Sequence, residues 1–185
     1  MADGMLFAQG GWLYPKAVVE KCLAHANVTL RSSQKVKNLT NMGSVEKPEW
    51  MVECESDEFS ADAVIVATGS LDKNLNQKLG LPIRPVKGQV THLQHTQQLN
   101  ILKKAVTHDG YSVSHASGAV TGATFEAPDM SLEMSTESHH LNLQAAESAL
   151  PDWLKLKANE GAEQVNGRVA FLSLIHISEP TRQKP

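Results

Sequence analysis

The spacing of apolar and polar positions changes several times along the chain, and each change marks an element. Met5–Trp12 is apolar and glycine-rich, ending Gly10-Gly11-Trp12. Pro15 follows where a first helical turn tolerates its missing N–H. Ala17, Val18, Cys22, Leu23 and Ala26 then predict a helix with one apolar face through His25. Val28–Arg31, Lys35–Asn41 and Glu49–Glu55 read as short strands, the last two separated by turn residues at Asn41–Pro48. Ala63-Val64-Ile65-Val66-Ala67 is a continuous apolar run, the pattern of a strand buried on both faces of a parallel sheet. Thr68-Gly69-Ser70 ends it, and Leu71–Leu79 predicts a short helix. Arg84–Leu93 reads as a strand containing Gly88, and Tyr111–Ser114 with Ala119–Glu126 as a hairpin across Gly118. Ser138–Leu150 predicts a helix, with Leu141, Ala145 and Ala149 at four-residue spacing and Pro151 as its stop. Helix, meander and buried strand together predict a mixed α/β fold.

Composition narrows the class. A chain of 185 residues, 41% hydrophobic and 20% charged, is globular and makes one ordinary domain or part of a larger one. Its longest apolar run is too short to span a bilayer, and Met1-Ala2-Asp3-Gly4 lacks the basic and apolar regions of a signal peptide. A cytoplasmic protein without membrane contact is expected. Cys22 and Cys54 cannot build a disulfide framework or a CxxC site, and each is expected as a buried thiol. The net charge of −3 conceals an asymmetry: the first 104 residues are mildly basic, whereas 105–171 are strongly acidic. The acidic part is a poor surface for nucleic acid, while the basic part tolerates a phosphate backbone. The charge pattern alone does not predict an RNA binder.

The end of the chain reads differently. Leu172-Ser173-Leu174-Ile175-His176-Ile177-Ser178-Glu179-Pro180-Thr181-Arg182 looks like the in-frame translation of a transposon-end adapter used in sequencing libraries. Residues 1–171 are therefore expected to form the natural part and 172–185 an adapter-derived tail. The plainer reading of Leu172–Ile177 is an ordinary strand.

No GxGxxG, P-loop, HExxH or GxSxG occurs. His92 with His95, and His139 with His140, lack a third ligand at metal spacing, so no metal site is expected. His108 beside Asp109 is expected in a loop hydrogen bond rather than as a titrating pair. Arg84 and Lys87 are expected as solvated surface charge, with contact to RNA phosphates as the alternative.

Four segments carry more specific signals. Val64-Ile65-Val66-Ala67-Thr68-Gly69 is a hydrophobic strand ending in a small-residue turn, which lets a backbone approach a dinucleotide closely. Gly10-Gly11-Trp12-Leu13-Tyr14-Pro15 lets a backbone pass close to a planar ligand. Pro85-Val86-Lys87-Gly88-Gln89-Val90 places a glycine and an amide within a strand. Asp109-Gly110-Tyr111 is followed by Gly122-Ala123-Thr124-Phe125-Glu126. Taken singly, each also has a structural reading: a tight turn, a core tryptophan, a strand tyrosine packing its ring.

As an ordered set over Gly4–Phe171, these segments resemble the D-amino-acid-oxidase-type flavoproteins. They are most similar to the oxidoreductase domain of the MnmC family of tRNA wobble-uridine modification enzymes. The resemblance implies an FAD-binding α/β fold with a β-meander and an antiparallel substrate-domain sheet. It also implies tRNA as partner and oxidative removal of the carboxymethyl group from 5-carboxymethylaminomethyl-uridine. Ala67, Thr68 and Gly69 would border FAD, with Val36 at its adenine end. Gly11, Trp12, Gly88 and Gln89 would lie nearer the flavin or substrate, and Tyr111 would face the substrate. No catalytic residue is assigned. The family's first βαβ unit, with its phosphate loop, its final FAD-contacting segment and an upstream methyltransferase domain are not in this sequence. An internal fragment, incompetent by itself and with Ala63–Ala67 left as an unpaired, aggregation-prone edge, is therefore expected. Two alternatives stand beside this reading, a glycine- or sarcosine-oxidase-like amine oxidase and a non-catalytic tRNA-binding remnant.

Overall fold

A computed structural model describes residues 4–70, 72–94, 102–127, 129, 131–153 and 165–175. The chain divides into two compact units, one of Tyr14–Arg84 with Ser173–Pro185, the other of Met1–Leu13 with Pro85–Leu172.

In the first unit, α1 (Pro15–Leu23) begins at Pro15 as its sequence predicts, but none of its residues is buried. Strands β1 (Val36–Asn41), β2 (Trp50–Cys54) and β3 (Glu58–Ala61) form an antiparallel meander. Leu39 pairs with Val52, and Val52 with Phe59. Asn41 Oδ1 closes the β1–β2 connection by accepting from the Gly43 N–H at 3.0 Å and the Glu49 N–H at 3.3 Å. Helix α2 (Lys73–Lys78) is capped by Asp72, whose carboxylate accepts from the Leu75 N–H at 3.0 Å. Lys78 Nζ donates to the Lys37 carbonyl at 2.9 Å, tying α2 to β1.

Two expected strands are absent. Val28–Arg31 is irregular, and so is Ala63–Ala67, where Ile65 is 92% exposed. A strand needs ladder partners for its backbone groups, and no described strand pairs with either run. The meander instead takes its third strand from Glu58–Ala61, whose side chains alternate between half-buried and exposed. The cysteines also depart from expectation. Cys22 is exposed, on a helix none of whose residues is buried among the described residues, and Cys54 is half-buried in β2.

The second unit is built on a five-stranded sheet. Its strands are β4 (Ile83–Gln94), β5 (Val106–Thr107), β6 (Tyr111–His115), β7 (Gly118–Gly122) and β8 (Asn166–Ile175), in the order β5-β6-β7-β4-β8. The hairpin predicted across Gly118 is present, although β7 ends at Gly122 rather than Glu126. Strand β8 runs through Phe171 and Leu172, so the start of the adapter-like stretch falls inside it. Helix α3 (Thr136–Ala149) covers one sheet face, its N-cap Ser135 accepting from the Ser138 N–H. Leu93, Ala119, Leu143, Ala146 and Trp153 form the apolar core between sheet and helix.

The stripe that α3 buries is not the Leu141–Ala145–Ala149 row. His139, Asn142, Leu143 and Ala146 face the sheet, and Leu141 is 46% exposed. The sheet explains the choice, because its covered face carries Gln89, Thr91, Ser112 and Thr121, each 0% exposed. A helix over such a surface must bring hydrogen-bonding partners. Thr91 Oγ1 meets His139 Nδ1 at 2.9 Å, and Asn142 Nδ2 donates to the Gln89 carbonyl at 2.9 Å. Among the described residues, no helix is long and apolar enough to cross a membrane.

Candidate functional site

Alternation along β4, β6 and β7 gives the sheet a second face that α3 does not cover. Val90, Gly122 and Tyr111 are register partners on it, and the next row is His92, Val120 and Val113. Gly88 precedes Val90 on the same side of β4. Tyr111 is 39% exposed and Trp12 is 41% exposed, with Trp12 edge-on to His115 at a centroid distance of 6.3 Å. Gly11 has open space where a side chain would stand. Gly11, Trp12, Gly88 and Tyr111 thus belong to one unit; Tyr111 lies on the open face, whereas a Cβ on Gly88 would meet the Thr124 carbonyl oxygen at 2.8 Å.

Arg168 joins this face from β8 and was missed in the sequence. Its guanidinium lies within electrostatic range of both Tyr111 and His92. Burial raises the Tyr111 phenol above its ordinary value and Arg168 partly offsets this, while burial and then Arg168 lower His92. The signal was the Gly167-Arg168-Val169 alternation of a half-buried strand, whose partner could not be read from the sequence.

Gln89 points the other way. Its side chain donates to the Ser135 carbonyl at 2.8 Å and accepts from the Ser135 N–H at 2.8 Å. Its backbone N–H donates to Thr124 Oγ1 at 3.0 Å, and that hydroxyl donates to Glu126 Oε1 at 2.6 Å. Ser138 Oγ also donates to Glu126, so Ser138 and then Thr124 hold this carboxyl below its ordinary range. Lys87 is a correction to the expected surface charge. It is 5% exposed, and its ammonium pairs with Asp129 at 3.0 Å, lowering the Asp129 carboxyl. Gln89, Thr124 and Glu126 therefore brace β4 against the start of α3, while Lys87 ties β4 to the segment that precedes it. The remaining motif pair interlocks through its glycines: a Cβ on Gly110 would run into the Gly122 carbonyl.

The other expected site residues belong to the meander unit. Val36 opens β1 and pairs with Cys54 beside a register shift. Ala67 and Thr68 are exposed, and Gly69 turns the chain with φ +72°. Asn76 Nδ2 donates to the Gly69 carbonyl at 3.1 Å, anchoring the turn from α2. Ser70 Oγ and Asn76 Oδ1 are buried and meet no partner among the described residues. Buried polar atoms left over at a small-residue turn fit a polar ligand group that would complete them.

His92, His108 and His139 are all lowered from 6.5, principally by burial. Each depressed histidine contributes stability that is complete above the unfolded value of 6.5 and is lost as pH falls through the folded value. Glu126 and Asp129 act in the same direction below 4.5 and 3.8. The urea midpoint is therefore expected to be level above pH 7, to fall from about pH 6.5, and to fall again in the carboxylate range. A midpoint level from pH 8 to 5 would contradict the histidine burial.

Comparison with known proteins places the chain in a family. Residues 1–172 match the FAD dependent oxidoreductase family, and the chain belongs to it. Within that class it is similar to the tRNA 5-methylaminomethyl-2-thiouridine biosynthesis bifunctional protein MnmC of Hydrogenovibrio crunogenus, 42% identical over 82% of this chain and 23% of that protein. The MnmC protein of Pseudomonas syringae pv. syringae is 29% identical over 92% of this chain and 26% of its own length. The chain thus spans about a quarter of the length of the curated relatives it matches. Glycine oxidase from Geobacillus kaustophilus shares the fold, with a TM-score of 0.63 at 18% identity, covering 90% of this chain and 45% of its own. The D-amino-acid-oxidase-type mixed α/β fold and its FAD dependence follow from this membership.

Proposed function

We propose that the protein carrying this chain removes the carboxymethyl group of 5-carboxymethylaminomethyl-uridine at the tRNA wobble position by FAD-dependent oxidation of the secondary amine. The observation that carries the reading is Tyr111 on the open face, 39% exposed and within electrostatic range of the Arg168 guanidinium. A guanidinium on the same face as an accessible phenol suits a substrate whose amine bears a carboxylate. Val90, Val113 and Val120 supply an apolar floor beside them. Such a floor limits the water around the reacting carbon and strengthens the Arg168–carboxylate attraction. The names of the MnmC relatives support tRNA as the partner.

FAD, when bound, supplies a two-electron acceptor for the carbon beside the amine. Ala67, Thr68 and Gly69 would border it, with Ser70 and Asn76 offering their unpaired polar atoms and Val36 its backbone. Gly11, Trp12 and Gly88 are its expected neighbours in the sheet unit. Gln89 supports that unit from behind, consistent with its bonds to Ser135.

The test is an assay of the full-length protein on tRNA bearing the carboxymethylaminomethyl nucleoside, with free glycine and sarcosine in parallel. Conversion of the nucleoside to its aminomethyl form is expected, with Arg168→Gln raising KM far more than it lowers kcat. Turnover of the free amino acids without action on tRNA would replace this reading with an amine oxidase. Salt-sensitive tRNA binding without flavin would replace it with a non-catalytic remnant.

A further inference from the structure

The turn that delivers Tyr111 to the open face is held by a hydrogen-bonded chain whose polarity can be assigned bond by bond. Thr121 Oγ1 donates to the Tyr111 carbonyl at 3.1 Å, which uses its one proton. Its 3.0 Å contact with Ser112 Oγ must then have Ser112 as donor. That uses the serine proton, so the 3.0 Å contact between Ser112 Oγ and His108 Nε2 requires an Nε2–H. At the other side of the ring, the Gly110 N–H donates to His108 Nδ1 at 3.2 Å, which requires a bare Nδ1. The two ends agree on one neutral tautomer. The His108 N–H donates to the Gly110 carbonyl at 2.9 Å and closes the loop.

We propose that His108, in its neutral Nε2–H form, is the positioning residue that fixes Tyr111 on the open face. Its ring bonds the residue before Tyr111 and the residue after it, and the chain ends on the Tyr111 carbonyl itself. Ser112 and Thr121 are each 0% exposed, so water cannot take over their bonds. Gly110 has little room to yield, since its Cα faces the Gly122 carbonyl. Protonation at Nδ1 would set two donors against each other at Gly110 and release the turn.

The ring lines a cavity of about 270 Å³. Asp109 faces it from the loop and Glu126 from the segment after β7, while α3 contributes Leu141, Asn142 and Ala145, none of them titratable. Burial outweighs the attraction of Asp109 and lowers His108, favouring the neutral form that the bonds require. The value of this clamp for catalysis rests on reading Tyr111 as the substrate-facing phenol; the clamp itself does not.

The experiment is long-range proton–nitrogen NMR on the full 185-residue chain with labelled histidine. The Nε2–H tautomer is expected at pH 8. On acidification His108 should titrate below 6.5, and the Gly110 and Tyr111 amide signals should move with its midpoint. His108→Gln replaces the ring with a non-titrating donor and acceptor, and should abolish that shared midpoint. An Nδ1–H tautomer, or Tyr111 signals indifferent to the His108 titration, overturns the proposal in the unmutated chain. Failure of the tRNA assay would leave these signals unchanged, so the two readings fail separately.

Discussion

Replacing Gly167 by alanine is expected to lower the thermal midpoint of the chain by roughly 10 °C. Gly167 lies where β8 adjoins β4. An added Cβ would run into the Val90 carbonyl oxygen and come within 2.7 Å of His139 Cε1. Neither neighbour has room to give. Val90 is paired with Gly122, and the His139 ring is held by Thr91 at 2.9 Å. Strand β8 must move outward, drawing Val169 from the core face and Arg168 from the open face. Overpacking of this kind costs about 3 kcal/mol. Gly11→Ala is the control, because nothing lies within 4 Å of its added methyl. Circular dichroism melts of both variants decide the matter. Equal midpoints would mean that β8 does not dock against β4 as described.

Gln89→Leu is expected to destabilise the chain by roughly 3 kcal/mol, although leucine nearly matches the volume. The loss is of pairing rather than of packing. The Ser135 N–H and carbonyl both end on the Gln89 amide at 2.8 Å, at the cap of α3. With leucine there, both groups lose their partner and face an apolar side chain at a position that is 0% exposed. Urea denaturation followed by helical circular dichroism measures the effect. A Gln89 that served only a ligand would leave the midpoint untouched, and that outcome would return it to the open face.

These two sites mark the boundary of what the sequence conveys. The β6–β7 hairpin, the long β4 strand and the Pro15 helix start were legible because their signals are local: a Gly turn, period-two alternation, a proline at a first turn. Ala63–Ala67 was read as a buried strand from its own composition, yet a strand depends on partners. The α3 stripe was misread because Leu141 outranks His139 and Asn142 in hydrophobicity, whereas the facing sheet is polar. Lys87 reads as surface charge in the sequence because its partner, Asp129, lies 42 residues away. Of the candidate site, Tyr111, Trp12 and Gly88 were legible as motif residues, while Arg168 required the fold to bring β8 alongside.

The polar seam between α3 and its sheet also shapes how stability responds to temperature. Unfolding usually raises heat capacity because hydrocarbon becomes hydrated, but newly hydrated polar groups lower it. Here the seam releases Gln89, Thr91, Ser112, Thr121, His139 and Asn142 together, so the two contributions partly cancel. The free-energy curve of this unit is correspondingly shallow, and cooling weakens it less than it would a hydrocarbon interface of the same area.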